Sequence, residues 1–445
     1  MITKQEILTL VAEYMSRKQG SKTWTAGKDW VQYAGPYFDN REYVNAVSTL
    51  LDEWLVLGKD AMKFETEFPK LLGKTHGIVT NSGSSANLLM MLTAKKYFKI
   101  KDGEKVIVPV AGFPTTLNPV LQCGLKPVFV DIELDTLNMD FGHFDDAVNK
   151  TGAKVVTFAH VLGNPPNMEL IQDMMAIHGL ILLEDCCDAL GTTYNGLPLG
   201  RLGQLSTCSF YPAHHMTMGE GGFLACDHEE LEKIARSIRE WGRGCYCVGR
   251  KASLSTDGSC GCRFSKWLPT LPDEVFDHKY VYDNIGYNLK PIELQCSMGL
   301  AQMDKLPEIH AKRKANHKRL TEIFTPYEEF FHIHKAQPNA DVSWFAFPIT
   351  VRDRAPFKRS HFTSFLENHK IQTRNYFGGN LLLQPAYQNI DCQCWLGGTI
   401  RDPKVLFPIA TKVTTDTLFL GTSPVITSPQ LDYVQEIVSQ FFKTL

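Results

Sequence analysis

The chain has 445 residues, too many for one compact core, and a composition of 44% apolar and 21% charged residues, that of an ordinary folded soluble protein. A formal net charge of -2 gives no electrostatic case for nucleic acid or an anionic membrane. No run approaches the roughly 18 uncharged apolar residues of a membrane helix.

The opening stretch MITKQEILTLVAEYMSRKQG mixes charges in an amphipathic pattern and carries no signal-cleavage site, which points to the cytoplasm. The chain holds 12 cysteines, which that compartment keeps reduced. Residues 1–45 read as a helical arm that ends in the Gly/Pro-punctuated stretch TAGKDWVQYAGPYFDN. From about 46 to about 240, short β-rich runs alternate with helical segments. The runs are GIVTNSG, EKVIVPVAGFP, KPVFVDI, AKVVTFAHVLG and LILLEDCC. Near-continuous apolar strands alternating with helices predict a mostly parallel sheet covered on both faces, with functional residues at the C-terminal strand ends. Residues 243–275 (opening RGCYCVGRKASLSTDGSCGCRFSKWLPT) read as a long Gly/Ser/Cys-rich loop, a kind that is usually functional. A long charged helix is expected from 301 (AQMDKLPEIHAKRKANHKRLTEIF), followed by a smaller α+β region to 445. The division expected is thus an arm over 1–45, a large α/β domain over 46–300 and a small α+β domain over 301–445.

Three strand ends carry candidate chemistry. Thr80-Asn81-Ser82-Gly83-Ser84-Ser85 joins a strand to a helix, and a helix start with small residues offers free N–H groups and a positive dipole end to a phosphate. Ser84 and Ser85 are the expected donors; a plain Gly/Ser turn reads the same way. Asp185 closes its strand and could hold the proton of a pyridine nitrogen, which such a ring needs as an electron sink; a capping carboxylate would look alike. Phe113 follows Ala-Gly at a strand end and could stack on a ring.

The stretch Ser209-Phe210-Tyr211-Pro212-Ala213-His214-His215-Met216-Thr217-Met218-Gly219-Glu220-Gly221-Gly222 resembles the signature of the DegT/DnrJ/EryC1/StrS sugar aminotransferases, with His214 at the position of the Schiff-base lysine. The resemblance runs from about residue 46 onward and takes in Ser84, Ser85, Phe113, Asp131, His160, Asp185, Ser209 and Asn288 in order. It implies an α/β, fold type I PLP-dependent transferase fold, like aspartate aminotransferase. Ser209 then adds a phosphate contact, Asp185 pairs with the pyridine nitrogen, and Asn288 reaches the phosphate in the neighbouring subunit of a homodimer. Asp131, His160 and Arg374 are expected at the sugar nucleotide, Arg374 through its planar fork. A surface ion pair is the plainer reading of Arg374.

Imidazole cannot hold the cofactor as lysine does. The cofactor is therefore expected bound non-covalently as pyridoxamine 5′-phosphate (PMP), with His214 as general base, near its reference pKa of ~6.5. The phrase YPAHHMTMGEGG resembles the family's 3-dehydrases of nucleotide-linked 4-keto-6-deoxyhexoses, which remove a hydroxyl without net amino transfer.

Cys187, Cys245, Cys247 and Cys260 are spaced C-x57-C-x1-C-x12-C, which matches no zinc ribbon or ferredoxin run. Spacing alone supports a thiolate-rich loop near an active-site strand. The resemblance implies a [2Fe–2S] cluster on these four, as in CDP-linked members, though the last gap is longer here and Cys262 could substitute for Cys260. The other cysteines read as small buried hydrophobes. No G-x-G-x-x-G opens a helix after a strand, so a separate NAD(P)H-dependent flavin/iron–sulfur reductase is the expected electron source. Other readings are a cluster-free dehydratase, a dTDP-linked one, and a zinc-bound scaffold homologue.

Overall fold

The structure, a computed structural model, describes residues 2–21, 23–245 and 263–445. The predicted loop 243–275 therefore lies largely outside the described residues, and so do Cys247, Cys260 and Cys262.

An eight-stranded sheet forms the centre. Its order is His76–Thr80, Gly222–Cys226, Leu205–Ser209, Ile181–Asp185, Val155–Ala159, Lys105–Pro109, Lys126–Val130 and Gln393–Cys394. Only Gly222–Cys226 runs antiparallel to its neighbours. The sequences KVIVP, KPVFV and VVTFA are rich in β-branched residues and buried along nearly their whole length, as a doubly covered sheet requires. Helices such as Gly83–Tyr97 and Met168–His178 cover the faces. This is the fold type I architecture of PLP-dependent transferases. The five expected strands form where expected. Leu205–Ser209, the antiparallel Gly222–Cys226 and Gln393–Cys394 join them.

A second sheet has the order Phe331–Ile333, Ala346–Val351, Thr417–Gly421 and Arg374–Asn375. It packs with the helices Leu306–Phe324, Arg359–Asn368 and Ser428–Lys443 around a separate core that includes Phe324, Phe331, Phe362 and Phe441. The boundary expected at 301 is not clean, because the chain returns to the large sheet: Leu381, Cys394, Trp395, Phe407 and Val413 belong to the central core. The long helix predicted from 301 is two, Glu293–Met303 and Leu306–Phe324, with Pro307 in the first turn of the second, where a missing N–H costs nothing. The arm boundary also shifts, since the helix Asn40–Leu51 runs through position 45.

Among the described residues no helix is long and apolar enough to cross a membrane.

Candidate active site

A cavity of about 910 Å³ opens at the C-terminal ends of the central strands. Its wall includes Ser84, Ser85, Phe113, Asp185, Cys187, Asp188, Ser209, His214 and Arg374.

The phosphate end is built by close packing. Ser82 caps the helix Gly83–Tyr97: its hydroxyl accepts from the amide of Ser85 at 3.1 Å and meets the Ser85 hydroxyl at 3.0 Å. A Cβ on Gly83 would lie 2.4 Å from Cβ of Ser209, and one on Gly222 would lie 2.2 Å from the Ser82 carbonyl oxygen. Only glycines let the helix start and Ser209 share one concave corner. Ser84 is exposed into it.

At the other end Asp185 is 4% exposed. One carboxylate oxygen accepts from Asn87 Nδ2 at 2.8 Å and from Thr116 Oγ1 at 2.9 Å; the other accepts from the Cys187 amide at 3.1 Å. Asn87 is fixed in turn by the Thr207 hydroxyl, 2.5 Å from its Oδ1. No basic side chain pairs with Asp185 among the described residues. A buried, oriented carboxylate facing a cavity without its cation suits a protonated ring nitrogen. Phe113 is 52% exposed at the mouth and makes an edge contact with Phe377, so a ring face is free.

His214 stands on the same wall. Its Nδ1 lies 3.4 Å from Oδ1 of Asp188, close enough for electrostatic pairing but without hydrogen-bond geometry. Burial and the Arg313 guanidinium push its pKa down to about 3, so the imidazole is neutral at pH 7. Burial and the neighbouring Asp185 push Asp188 up to about 7. Arg313 is almost fully buried and donates to four carbonyls: Ala213 and His214 on the loop after Leu205–Ser209, Trp344 and Phe345 on the other side. The wall carries no lysine among the described residues; its basic side chains are His214 and Arg374. Arg374 lies with its guanidinium 4.2 Å from the Tyr33 ring centroid.

Two expected substrate residues are corrected. His160 follows Ala159 and precedes Val161, which both line the cavity, so its own side chain turns to the opposite face. There it is wholly buried, with Nε2 2.9 Å from Glu184 Oε2, and Glu184 also accepts from the amides of Gly200 and Gly203. Asp131 accepts from the amides of Ile132, Ile409 and Ala410 at 2.9–3.1 Å, capping the start of the helix Pro408–Asp416. Both are structural groups outside the cavity. Asn288 is exposed, bridged to Glu240, and absent from its own chain's cavity wall. Of the four expected cluster cysteines, Cys187 lines the cavity and Cys245 is buried with Sγ 4.0 Å from His278 Nε2.

The match to the DegT/DnrJ/EryC1/StrS aminotransferase family extends over residues 37–439. The chain belongs to this family. It is 39% identical to the lipopolysaccharide biosynthesis protein RfbH of Salmonella typhimurium, over 99% of this chain and 98% of that one. It is 38% identical to dTDP-4-dehydro-2,6-dideoxy-D-glucose 3-dehydratase of Saccharopolyspora spinosa, over 98% of this chain and 92% of that one. Among solved structures, it resembles E. coli GDP-4-keto-6-deoxy-D-mannose-3-dehydratase with bound hydrated PLP, at a TM-score of 0.78 and 27% identity, covering 92% of this chain and 99% of that one. This member of the DegT/DnrJ/EryC1/StrS family is therefore an enzyme of its PLP-dependent sugar aminotransferase and dehydratase group. Asp188 and Arg313 escaped the sequence reading. Asp188 had a signal, three residues after Asp185 in EDCCD; Arg313 had none, being one cation in a charged helix.

Proposed function

We propose that the protein is a PMP-dependent 3-dehydrase that removes the C3 hydroxyl of a nucleotide-linked 4-keto-6-deoxyhexose, CDP-linked, on the route to 3,6-dideoxyhexoses. The observation that carries this reading is the base of the cavity: His214 in place of lysine, with no lysine elsewhere on the described wall. The 3-dehydratase names of two relatives support the reaction class.

The residues present fit the cofactor. The Ser82–Ser85 helix start with Ser209 would hold its phosphate, Asp185 its ring nitrogen, and Phe113 the ring face. When bound, the pyridoxamine group supplies an amine for the sugar ketone and an electron sink that lets the neighbouring hydroxyl leave. His214 moves the proton. A neutral imidazole has one unprotonated ring nitrogen, and that nitrogen takes the proton. Asp188 beside Nδ1 stabilises the imidazolium that forms. Arg313 keeps the His214 backbone in place through its carbonyl oxygen.

For the [2Fe–2S] cluster, the described residues supply one thiol at the cavity wall, Cys187, and a second, Cys245; Cys247 and Cys260 complete the proposed set. Four thiolates suit such a cluster, which would carry electrons singly from a separate reductase. The nearness of Cys187 to Asp185, two residues away, supports a cluster beside the cofactor.

The test is anaerobic purification with analysis of PMP, iron and labile sulfide, then incubation with CDP-, dTDP- and GDP-linked 4-keto-6-deoxyhexoses in labelled water. Oxygen exchange at C3 of the CDP sugar without reductase, with iron and sulfide in equal amounts, is the expected result. Exchange without iron would make the enzyme cluster-free. Amino transfer, or no exchange with any of the sugars, would overturn the dehydrase reading.

A further inference from the structure

The arm before residue 40 is built into the active site. Val31 is 4% exposed and forms a parallel bridge with Ile371. Its amide donates to the Lys370 carbonyl at 2.7 Å, and its carbonyl accepts from the Gln372 amide at 3.0 Å. Next to the bridge, Lys370 Nζ lies 5.0 Å from the Trp30 ring centroid, and the Tyr33 amide donates to Gln372 Oε1 at 3.2 Å. The fit against the small sheet is tight: a Cβ on Gly421 would lie 1.8 Å from the Tyr33 carbonyl oxygen.

Just past this latch, each segment delivers one side chain to the cavity wall. The arm delivers Tyr33 and the sheet delivers Arg374. The guanidinium carbon lies over the Tyr33 ring, 4.2 Å from its centroid, while one Nη donates to the Thr373 carbonyl at 2.7 Å. Among the described residues no carboxylate pairs with Arg374. An exposed arginine ordinarily loses rotamer freedom when it binds an anion. Here an aromatic ring already holds the guanidinium at the cavity wall, with no described carboxylate taking its remaining N–H groups.

We infer that Tyr33 is a positioning residue: the latched arm holds the Arg374 guanidinium at the cavity wall so that it meets the diphosphate of the nucleotide-linked substrate. This rests on the nucleotide-sugar part of the proposed function and on no step of the dehydration.

Calorimetry on the cofactor-loaded protein tests it by binding alone. The probes are CDP, dTDP and GDP, with the tightest taken forward and its parent nucleoside as control. Arg374→Ala should weaken diphosphate binding about ten-fold or more, the loss of a hydrogen bond to a charged group. Tyr33→Ala should weaken it about two- to five-fold, the worth of an exposed cation–π stack. Tyr33→Phe, which keeps the ring, should bind as the parent does, and nucleoside binding should not change in any variant. Tyr33→Ala made in the Arg374→Ala background should cost nothing further. A Tyr33→Ala loss of equal size in that background, an unchanged affinity in Tyr33→Ala, or no binding of any diphosphate by the parent protein would each overturn the inference. A protein that binds diphosphate as described but exchanges no C3 oxygen would instead overturn the dehydrase reading alone.

Discussion

His214 sits where its neutral state is enforced by burial and by Arg313, and where Asp188 can receive the charge it acquires. Replacing it by Asn leaves the phosphate cradle and Asp185 untouched. His214→Asn should therefore retain PMP while exchange of the C3 oxygen falls about 10²–10⁴-fold, the usual worth of a general base. His214→Lys should restore an amine at the same point and give a yellow protein with PLP bound covalently, measurable by absorbance and borohydride trapping. Undiminished exchange in His214→Asn would assign the base elsewhere. The substitution of histidine for lysine was legible because a fixed spacing and a Gly-Glu-Gly-Gly turn frame it. Asp131 and His160 were misplaced for a common reason. Chain order says that a residue ends a strand, whereas the side-chain alternation and the return of residues 409–410 decide which face or helix it serves. Arg313 was hidden because a charged helix reads as solvated until its carbonyl partners, remote in sequence, are known.

The same division holds among the elements. Parallel strands with unbroken apolar runs were legible, because burial on both faces leaves a local signature. The antiparallel strand Gly222–Cys226 was not, since its sequence fixes burial and not direction. That strand carries a testable constraint. Gly222 abuts the Ser82 carbonyl, so Gly222→Ala must push the helix start away, at a cost of about 1–3 kcal/mol for overpacking. Thermal unfolding should register the cost, and the dissociation constant for PMP should rise with it. An unchanged PMP affinity would mean that this corner does not hold the phosphate. The small sheet has its own pH dependence. His334 is buried, its Nδ1 donating to the Leu134 carbonyl at 2.8 Å and its Nε2 accepting from the Thr350 hydroxyl at 2.9 Å. Burial pushes its pKa down to about 3. A folded pKa below the unfolded value of ~6.5 gives stability that is complete above that value and is lost as pH falls towards 3. At pH 5 the loss is on the order of 1–2 kcal/mol. The melting temperature should drop from pH 7 to pH 5, and His334→Asn should flatten that slope even though it is less stable at pH 7. Parallel curves for the two proteins would remove His334 from the account.

For the molecule as a whole, two stretches among the described residues gather exposed apolar side chains. Leu50, Leu51, Trp54, Leu55 and Val56 form one; Tyr280, Tyr282, Ile285, Tyr287 and Ile292 form the other, with Ile285 94% exposed. Apolar side chains this concentrated mark an interaction surface, and the second stretch brackets in sequence Asn288, which is exposed and absent from its own chain's cavity wall. We propose a homodimer in which each Asn288 completes the phosphate site of its partner. A symmetric pair of this kind makes a prediction that a monomeric enzyme cannot meet. His214→Asn and Asn288→Ala should each be weak as homodimers, the first in chemistry and the second in cofactor retention. Unfolding and refolding the two together yields mixed dimers. In a mixed dimer one site combines both defects, and the other draws an intact His214 from one chain and an intact Asn288 from the other. With random pairing, half the dimers are mixed and each has one whole site, so about a quarter of wild-type exchange should return. Sedimentation should show a dimer throughout, and the recovered activity should scale with the mixed fraction, separated on a tag carried by one chain. Mixtures that show only the sum of the two parents would place Asn288 in its own subunit's structure, and a fully active monomer would remove the shared site altogether.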